Sequence, residues 1–212
     1  MREKISSVTA LKYGESVLKE SLVFQGGAGD KYLPISFIIY LIKTDSRTIL
    51  VDAGCDTMPG FEMRNYYRPV EVLSRYGICA EEITDVVITH AHHDHIAAVH
   101  YFKNAVIHIQ QEEYERGKKY IPEDFMVNCF QDGYVIDDCM NIVKIGGHST
   151  GSCIVTFVKD REEYIIVGDE CYARACLEMK IPTGASCCLQ KSKEFIEKYS
   201  DPKYKILLCH GD

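Results

Sequence analysis

The stretch Thr89-His90-Ala91-His92-His93-Asp94-His95 constrains this chain more than any other. It sets four imidazoles and a carboxylate within seven residues. Ahead of it runs Ile83-Thr84-Asp85-Val86-Val87-Ile88, rich in β-branched residues, which reads as a buried strand. The histidines then occupy the loop leaving the strand's C-terminal end, where α/β folds commonly place chemistry. Neutral imidazole is a ligand for zinc and several other divalent metals. His90 and His92, two apart on an extended turn, can face one ion. Asp94 and His95 follow the turn and can reach a second, while His93 alternates out and faces away. Two metals about 3.5–4 Å apart form a known hydrolytic device.

A metal pair needs more ligands, and the chain offers three. They are His148 in Gly146-Gly147-His148-Ser149-Thr150-Gly151-Ser152, Asp169 in Val167-Gly168-Asp169, and His210 in Leu207-Leu208-Cys209-His210. Each follows an apolar, strand-like run and so falls at a strand end. A polar loop with surface histidines is the plainer reading, but it leaves this recurrence unexplained. Asp52, closing Ile49-Leu50-Val51, is expected to accept a hydrogen bond from a ligand and fix its orientation; a turn-forming Asp is the alternative.

The chain has 212 residues, 46% of them hydrophobic, enough for a sizeable core and for a single domain over 1–212. Its net charge is -7, and no basic run exceeds Lys118-Lys119, which argues against nucleic acid as a partner. The start, Met1-Arg2-Glu3-Lys4-Ile5-Ser6, has no signal peptide behind it, and no transmembrane run follows. The ten cysteines then read as reduced thiols of a cytoplasmic protein. None forms a Cys-x-x-Cys pair. Cys55 and Cys171, close to motif residues, read as small buried hydrophobes.

In chain order, residues 5–24 read as one or two strands of an antiparallel edge and 25–30 as a Gly-rich loop. Residues 35–43 and 48–52 form a hairpin through Thr44-Asp45-Ser46-Arg47. Residues 56–68, with Phe61, Tyr66 and Tyr67, pack as a loop or form a substrate lip. Residues 69–76 form a short helix ended by Gly77. A short helix at 96–99, a strand at 105–109 and a helix at 110–119 follow, with His100 and His108 outside the ligand pattern. Residues 120–140 read as irregular. Strands are expected at 141–145, 153–158, 164–167 and 205–209, and a helix at 186–199. Two runs of strands, each with helices after it, suggest two sheets packed face to face with helices outside.

The order His-x-His-x-Asp-His, later His, Asp and last His resembles the metallo-β-lactamase superfamily, as does Ile49-Leu50-Val51-Asp52-Ala53-Gly54. The resemblance runs from about Leu33 onward and implies an α+β fold, the four-layer αββα sandwich. It implies that His90, His92 and His148 bind one metal, that Asp94, His95 and His210 bind a second, and that Asp169 bridges them. The implied cofactors are two divalent ions, zinc first, with iron or manganese as alternatives. Within the superfamily, the chain looks like the N-acyl homoserine lactonases, on Leu33-Pro34-Ile35, on residues 108–114, and on Tyr172, three residues after Asp169. That implies hydrolysis of a small lactone or ester by metal-activated hydroxide, with Tyr172 polarising the carbonyl. Asp94, assigned to the second metal, is expected also to pass a proton to the leaving group. A core-packing Tyr172 is the alternative. Where many relatives have two glycines, this chain has Ala97-Ala98. A glyoxalase II-like thioesterase looks similar at the metals but carries an added helical domain. The third possibility is a non-hydrolytic metal-binding or redox protein. The diiron flavoproteins have Glu where His92 stands.

Overall fold

The computed structural model describes residues 4–211; residues 1–3 and 212, on which part of the leader reading rested, lie outside the described residues. Six strands form the first sheet: β1 (Ile5–Lys19), β2 (Tyr32–Thr44), β3 (Thr48–Val51), β4 (Asp85–Ile88), β5 (Val106–Gln110) and β6 (Met126–Phe130), in that order. β1 to β3 are antiparallel and β3 to β6 parallel. The second sheet runs β11-β10-β9-β8-β7, from β7 (Gly133–Ile136), β8 (Met140–Lys144), β9 (Cys153–Lys159), β10 (Glu162–Ile166) and β11 (Tyr204–Leu207). Only its β10–β11 pair is parallel. The helices are α1 (Glu20–Val23), α2 (Pro69–Arg75), α3 (His93–Ile96), α4 (Gln111–Gly117), α5 (Arg174–Glu178) and α6 (Leu189–Tyr199). None is long and apolar enough to cross a membrane.

Alternation along the strands explains the layering, because successive side chains point to opposite faces. Ile49, Val51 and Val87 of the first sheet cluster with Met140, Ile142, Val155 and Ile166 of the second, forming the core between the sheets. Their neighbours Leu50, Val86 and Ile88 belong to an outer cluster with Val72 and Leu73 of α2. On the second sheet, Ile154 and Ile165 share a cluster with Phe195, Ile196 and Tyr199 of α6. β3, β4 and the first half of β9 are therefore buried on both faces and read as nearly continuous apolar runs. Helices cover the outer faces of two facing sheets, the αββα arrangement.

One end of the sandwich is stitched shut by backbone hydrogen bonds between the sheets. Cys153 N donates to Thr89 O at 2.8 Å, and Ser36 N and Ile38 N donate to His210 O and Cys209 O, each at 3.0 Å. The segments after β3, β4, β10 and β11, and the one between β8 and β9, converge at this end. They carry Asp52, the histidine stretch, Asp169, His210 and His148.

The structure revises several expectations. The short helix expected at 96–99 lies earlier, as α3 over His93–Ile96, so part of the histidine stretch is helical and not loop. Residues 120–140 are not irregular: they hold β6 and β7, through which the chain passes from the edge of one sheet to the edge of the other. Edge positions such as Met126 and Val135 are solvent-exposed, which blurs the alternation a strand would show. The first segment is one 15-residue strand followed by the helical turn α1. The last helix begins at Leu189 rather than at 186.

Candidate metal centre

β4 delivers His90 to a fully buried position, and the turn after it places α3 so that Asp94 and His95 face the same interior. Side chains able to hold a metal ion gather there in two groups: His90, His92, His148 and Asp169, and beside them Asp94, His95 and His210. The seven residues picked from the sequence are the seven in these groups.

The hydrogen bonds behind the rings decide where their protons lie. His95 Nδ1 donates to Asp52 Oδ2 at 2.7 Å, and His210 Nδ1 to Ser36 O at 2.9 Å. His148 Nδ1 donates to Ala185 O at 2.5 Å. Thr89 Oγ1 gives its own proton to Asp52 Oδ2, so it accepts from His90 Nδ1 at 3.1 Å. In the neutral form of all four rings, the form that binds metal, the outer nitrogen carries the proton and Nε2 turns a lone pair inward. These lone pairs crowd together. His92 Nδ1 lies 3.0 Å from His90 Nε2 and 2.9 Å from His148 Nε2, and His95 Nε2 lies 3.2 Å from His210 Nε2.

Asp169 faces both groups. Its Oδ1 is 3.1 Å from His95 Nε2 and 3.0 Å from His210 Nε2, and its Oδ2 is 3.6 and 3.5 Å from His90 Nε2 and His148 Nε2. Asp94 Oδ2 lies 3.6 Å from His95 Nε2 and 3.4 Å from His210 Nε2. Asp169 Oδ1 is buried without a hydrogen bond. Such an orphaned acceptor costs about 1–3 kcal/mol, more when charged. Burial disfavours charge on His95 and His210, but Asp169, Asp94 and, for His95, Asp52 outweigh it and push both pKa values up. His90, dominated by burial, is held well below the ordinary imidazole range. Converging lone pairs, an unpaired carboxylate oxygen and a local excess of negative charge together fit two divalent cations.

Asp52 also accepts from Thr89 N at 2.8 Å, so one carboxylate fixes both the strand end and the His95 ring. Its backbone sits at φ 61, in the left-handed region. Tyr172 is buried, donates from its hydroxyl to Asp169 Oδ2 at 2.6 Å, and stacks on His210 at 5.2 Å. His93 turns away, with Nε2 donating to Thr57 O at 2.7 Å. His108 is a core residue bound to Asp85 at 2.8 Å, and His100 lies on the surface. Cys55 and Cys171 are buried and stand in neither group. Burial pushes the Cys55 thiol up to about 12. A cavity of about 330 Å³ opens onto the centre, walled by Leu18, Leu22, Ile35, Phe37, Met58 and Phe61, and Tyr172 lines it too.

Three supporting residues had drawn no role from the sequence. Tyr13, on the edge strand, donates to Asp94 O at 2.7 Å. Glu113 and Glu170 are buried carboxylates that accept hydrogen bonds from the ligand loops. Glu170 follows Asp169 directly, and burial pushes its carboxyl up to about 7. The available signal was an acidic residue beside a ligand or beside a resembling motif.

Residues 39–211 match the family model described as the metallo-beta-lactamase superfamily. An N-acyl homoserine lactonase of Bacillus cereus is 24% identical over 170 residues, covering 68% of this chain and 67% of its own length. Among solved structures, a quorum-quenching N-acyl homoserine lactone lactonase has a TM-score of 0.86 at 22% identity, covering 100% of this chain and 94% of that one. A probable metal-dependent hydrolase from Staphylococcus aureus gives 0.82 at 20% identity, over 97% and 89% of the two chains. A dizinc quorum-quenching lactonase gives 0.76 at 18%, over 99% and 91%. The family match takes in all seven residues of the centre and most of both sheets, and the chain belongs to the metallo-beta-lactamase superfamily.

Proposed function

We propose that this metal-dependent hydrolase carries two ions and opens a small lactone or a related ester, as a single domain over residues 1–212. The observation that carries the reading is the pair of side-chain groups with inward lone pairs, each facing one oxygen of Asp169. His90, His92, His148 and Asp169 would hold one ion, and Asp94, His95 and His210, with the other oxygen of Asp169, the second. The donor set suits zinc, and also iron or manganese. Two ions held there would supply a water of lowered pKa and a Lewis acid for a substrate carbonyl.

The chain supplies the rest. The apolar wall of the cavity excludes water and takes up the hydrocarbon part of the substrate. Among the described residues no Lys or Arg lines that cavity, which favours a neutral ester over a phosphodiester. With substrate bound, Tyr172 would turn its hydroxyl proton from Asp169 Oδ2 to the carbonyl oxygen as negative charge develops there. Asp94, on the same cavity, takes the proton of the attacking water and passes it to the departing alkoxide. The N-acyl homoserine lactonases among the similar proteins support a lactone as the first substrate class to try. All ten cysteines are free thiols, which supports a cytoplasmic setting.

The test is a hydrolysis panel of acyl lactones, simple esters, thioesters and phosphodiesters on zinc-loaded protein. The reading expects turnover of lactones or esters above the others. Preferential cleavage of thioesters or phosphodiesters would replace it.

A further inference from the structure

Two buried carboxylates outside the ligand set, Glu113 and Glu170, grip the loops that carry the first group's histidines. Glu113 sits in the first turn of α4, where Gln110 Oε1 accepts from Glu112 N and Glu113 N. Its side chain is 1% exposed. Its Oε2 accepts from Ala91 N, the peptide between His90 and His92, at 2.8 Å. Its Oε1 accepts from Ser149 Oγ at 2.7 Å and from Gly151 N at 2.9 Å, just beyond His148. From the other side, Glu170 accepts from Gly147 N at 3.1 Å, from His148 N at 3.2 Å and from Ser152 Oγ at 2.5 Å.

The glycines of the His148 loop follow from this grip. A Cβ on Gly151 would collide with Gln110 Oε1 and stand 2.9 Å from Glu113 Cγ. A Cβ on Gly147 would collide with Glu170 Oε2 and stand 2.6 Å from Ser192 Oγ. Both carboxylates can reach the loop backbone only because no side chain is in the way. Asp52 holds His95 of the second group directly and reaches His90 of the first only through Thr89. Neither Glu113 nor Glu170 hydrogen-bonds to Asp94, His95 or His210.

We propose that Glu113 is a positioning residue for the first metal: one carboxylate fixes the spacing between the turn carrying His90 and His92 and the loop carrying His148, with Glu170 as the opposing anchor. The proposal rests on the two-metal reading. Glu113 touches no metal and no substrate, so its effect is on the affinity of one site and not on both. Outer partners of metal ligands typically change affinity by about 10–100-fold when removed.

The test is a zinc titration against a competing chelator on the full-length protein, resolving the two sites. Wild type should bind two ions. Glu113→Gln keeps the shape, but its amide must turn NH2 either toward Ala91 N–H or toward the Ser149 and Gly151 donors. It should weaken one site by about 10–100-fold and leave the other within about twofold. Gly151→Ala keeps the carboxylate and displaces it, and should weaken the same site. Ser149→Ala removes a single bond, leaves the fold intact if Glu113→Gln does not fold, and should give a smaller loss at that site. Glu112→Gln, on the exposed neighbour, should change nothing. Unchanged affinities in the first three variants, or equal loss at both sites, would overturn the positioning role while leaving the metal pair standing. A wild type that binds no zinc would overturn the two-metal reading and this proposal with it.

Discussion

At the scale of single residues, roles separate by what each side chain touches. Tyr172 places its hydroxyl on Asp169 at the cavity wall, so Tyr172→Phe removes one hydrogen bond and no ligand. Losing such a donor to a developing oxyanion costs about 2.7–4 kcal/mol in strong cases, so kcat on lactones should fall about a hundredfold with metal content unchanged. Equal kinetics for variant and wild type would leave Tyr172 a packing residue. Asp94 combines a place in the second group with a place on the cavity. Asp94→Ala should lose about a hundredfold or more in kcat while its thermal midpoint stays within a few degrees; full activity, or an unfolded variant, contradicts the role. The sequence exposes the seven centre residues because their signal is local: imidazoles and carboxylates at strand ends, in a fixed order. Tyr13 and Glu113 are not legible in that way. Tyr13 reaches Asp94 from 81 positions away, and Glu113 reaches Ser149 from 36. Glu113 also sits beside the exposed Glu112 in a polar helix turn, where composition alone cannot tell the inward acid from the outward one.

At the scale of elements, β4 is anchored at the end opposite the centre. Asp85 is fully buried and accepts from Arg47 Nη1 on both of its oxygens at 2.9 Å, from His108 Nε2 at 2.8 Å and from Thr84 Oγ1 at 2.7 Å. Burial raises its pKa, but His108, Thr84 and Arg47 outweigh that and hold it below the ordinary carboxylate range. A carboxyl whose pKa is lower folded than unfolded adds stability above its unfolded value of about 3.9, and that stability is lost as pH falls through the folded value. Removing one partner of a buried pair costs about 3–5 kcal/mol. Asp85→Asn should therefore lose about that much in urea unfolding at pH 7, and the gap to wild type should narrow below about pH 4. A gap constant with pH would mean that the charge is not what matters. Strands buried on both faces, such as β4, are legible as apolar runs. The edge strands β6 and β7 are not, since solvent on one side relaxes the alternation that identifies a strand.

At the scale of the whole molecule, the sandwich brings donors from both sheets to one edge, where they present lone pairs and negative charge to each other. Bound ions should therefore stabilise the fold as well as equip it. At free zinc about a thousandfold above its dissociation constant, the gain is about 4 kcal/mol, so a chelator should lower the thermal midpoint by several degrees. An identical midpoint with and without chelator would argue against occupied sites. The most direct measurement is anomalous diffraction from crystals of the zinc-loaded protein. Two zinc peaks are expected, one among His90, His92 and His148 and one among Asp94, His95 and His210, with Asp169 in contact with both. A single peak, or zinc bound away from these residues, would contradict the account.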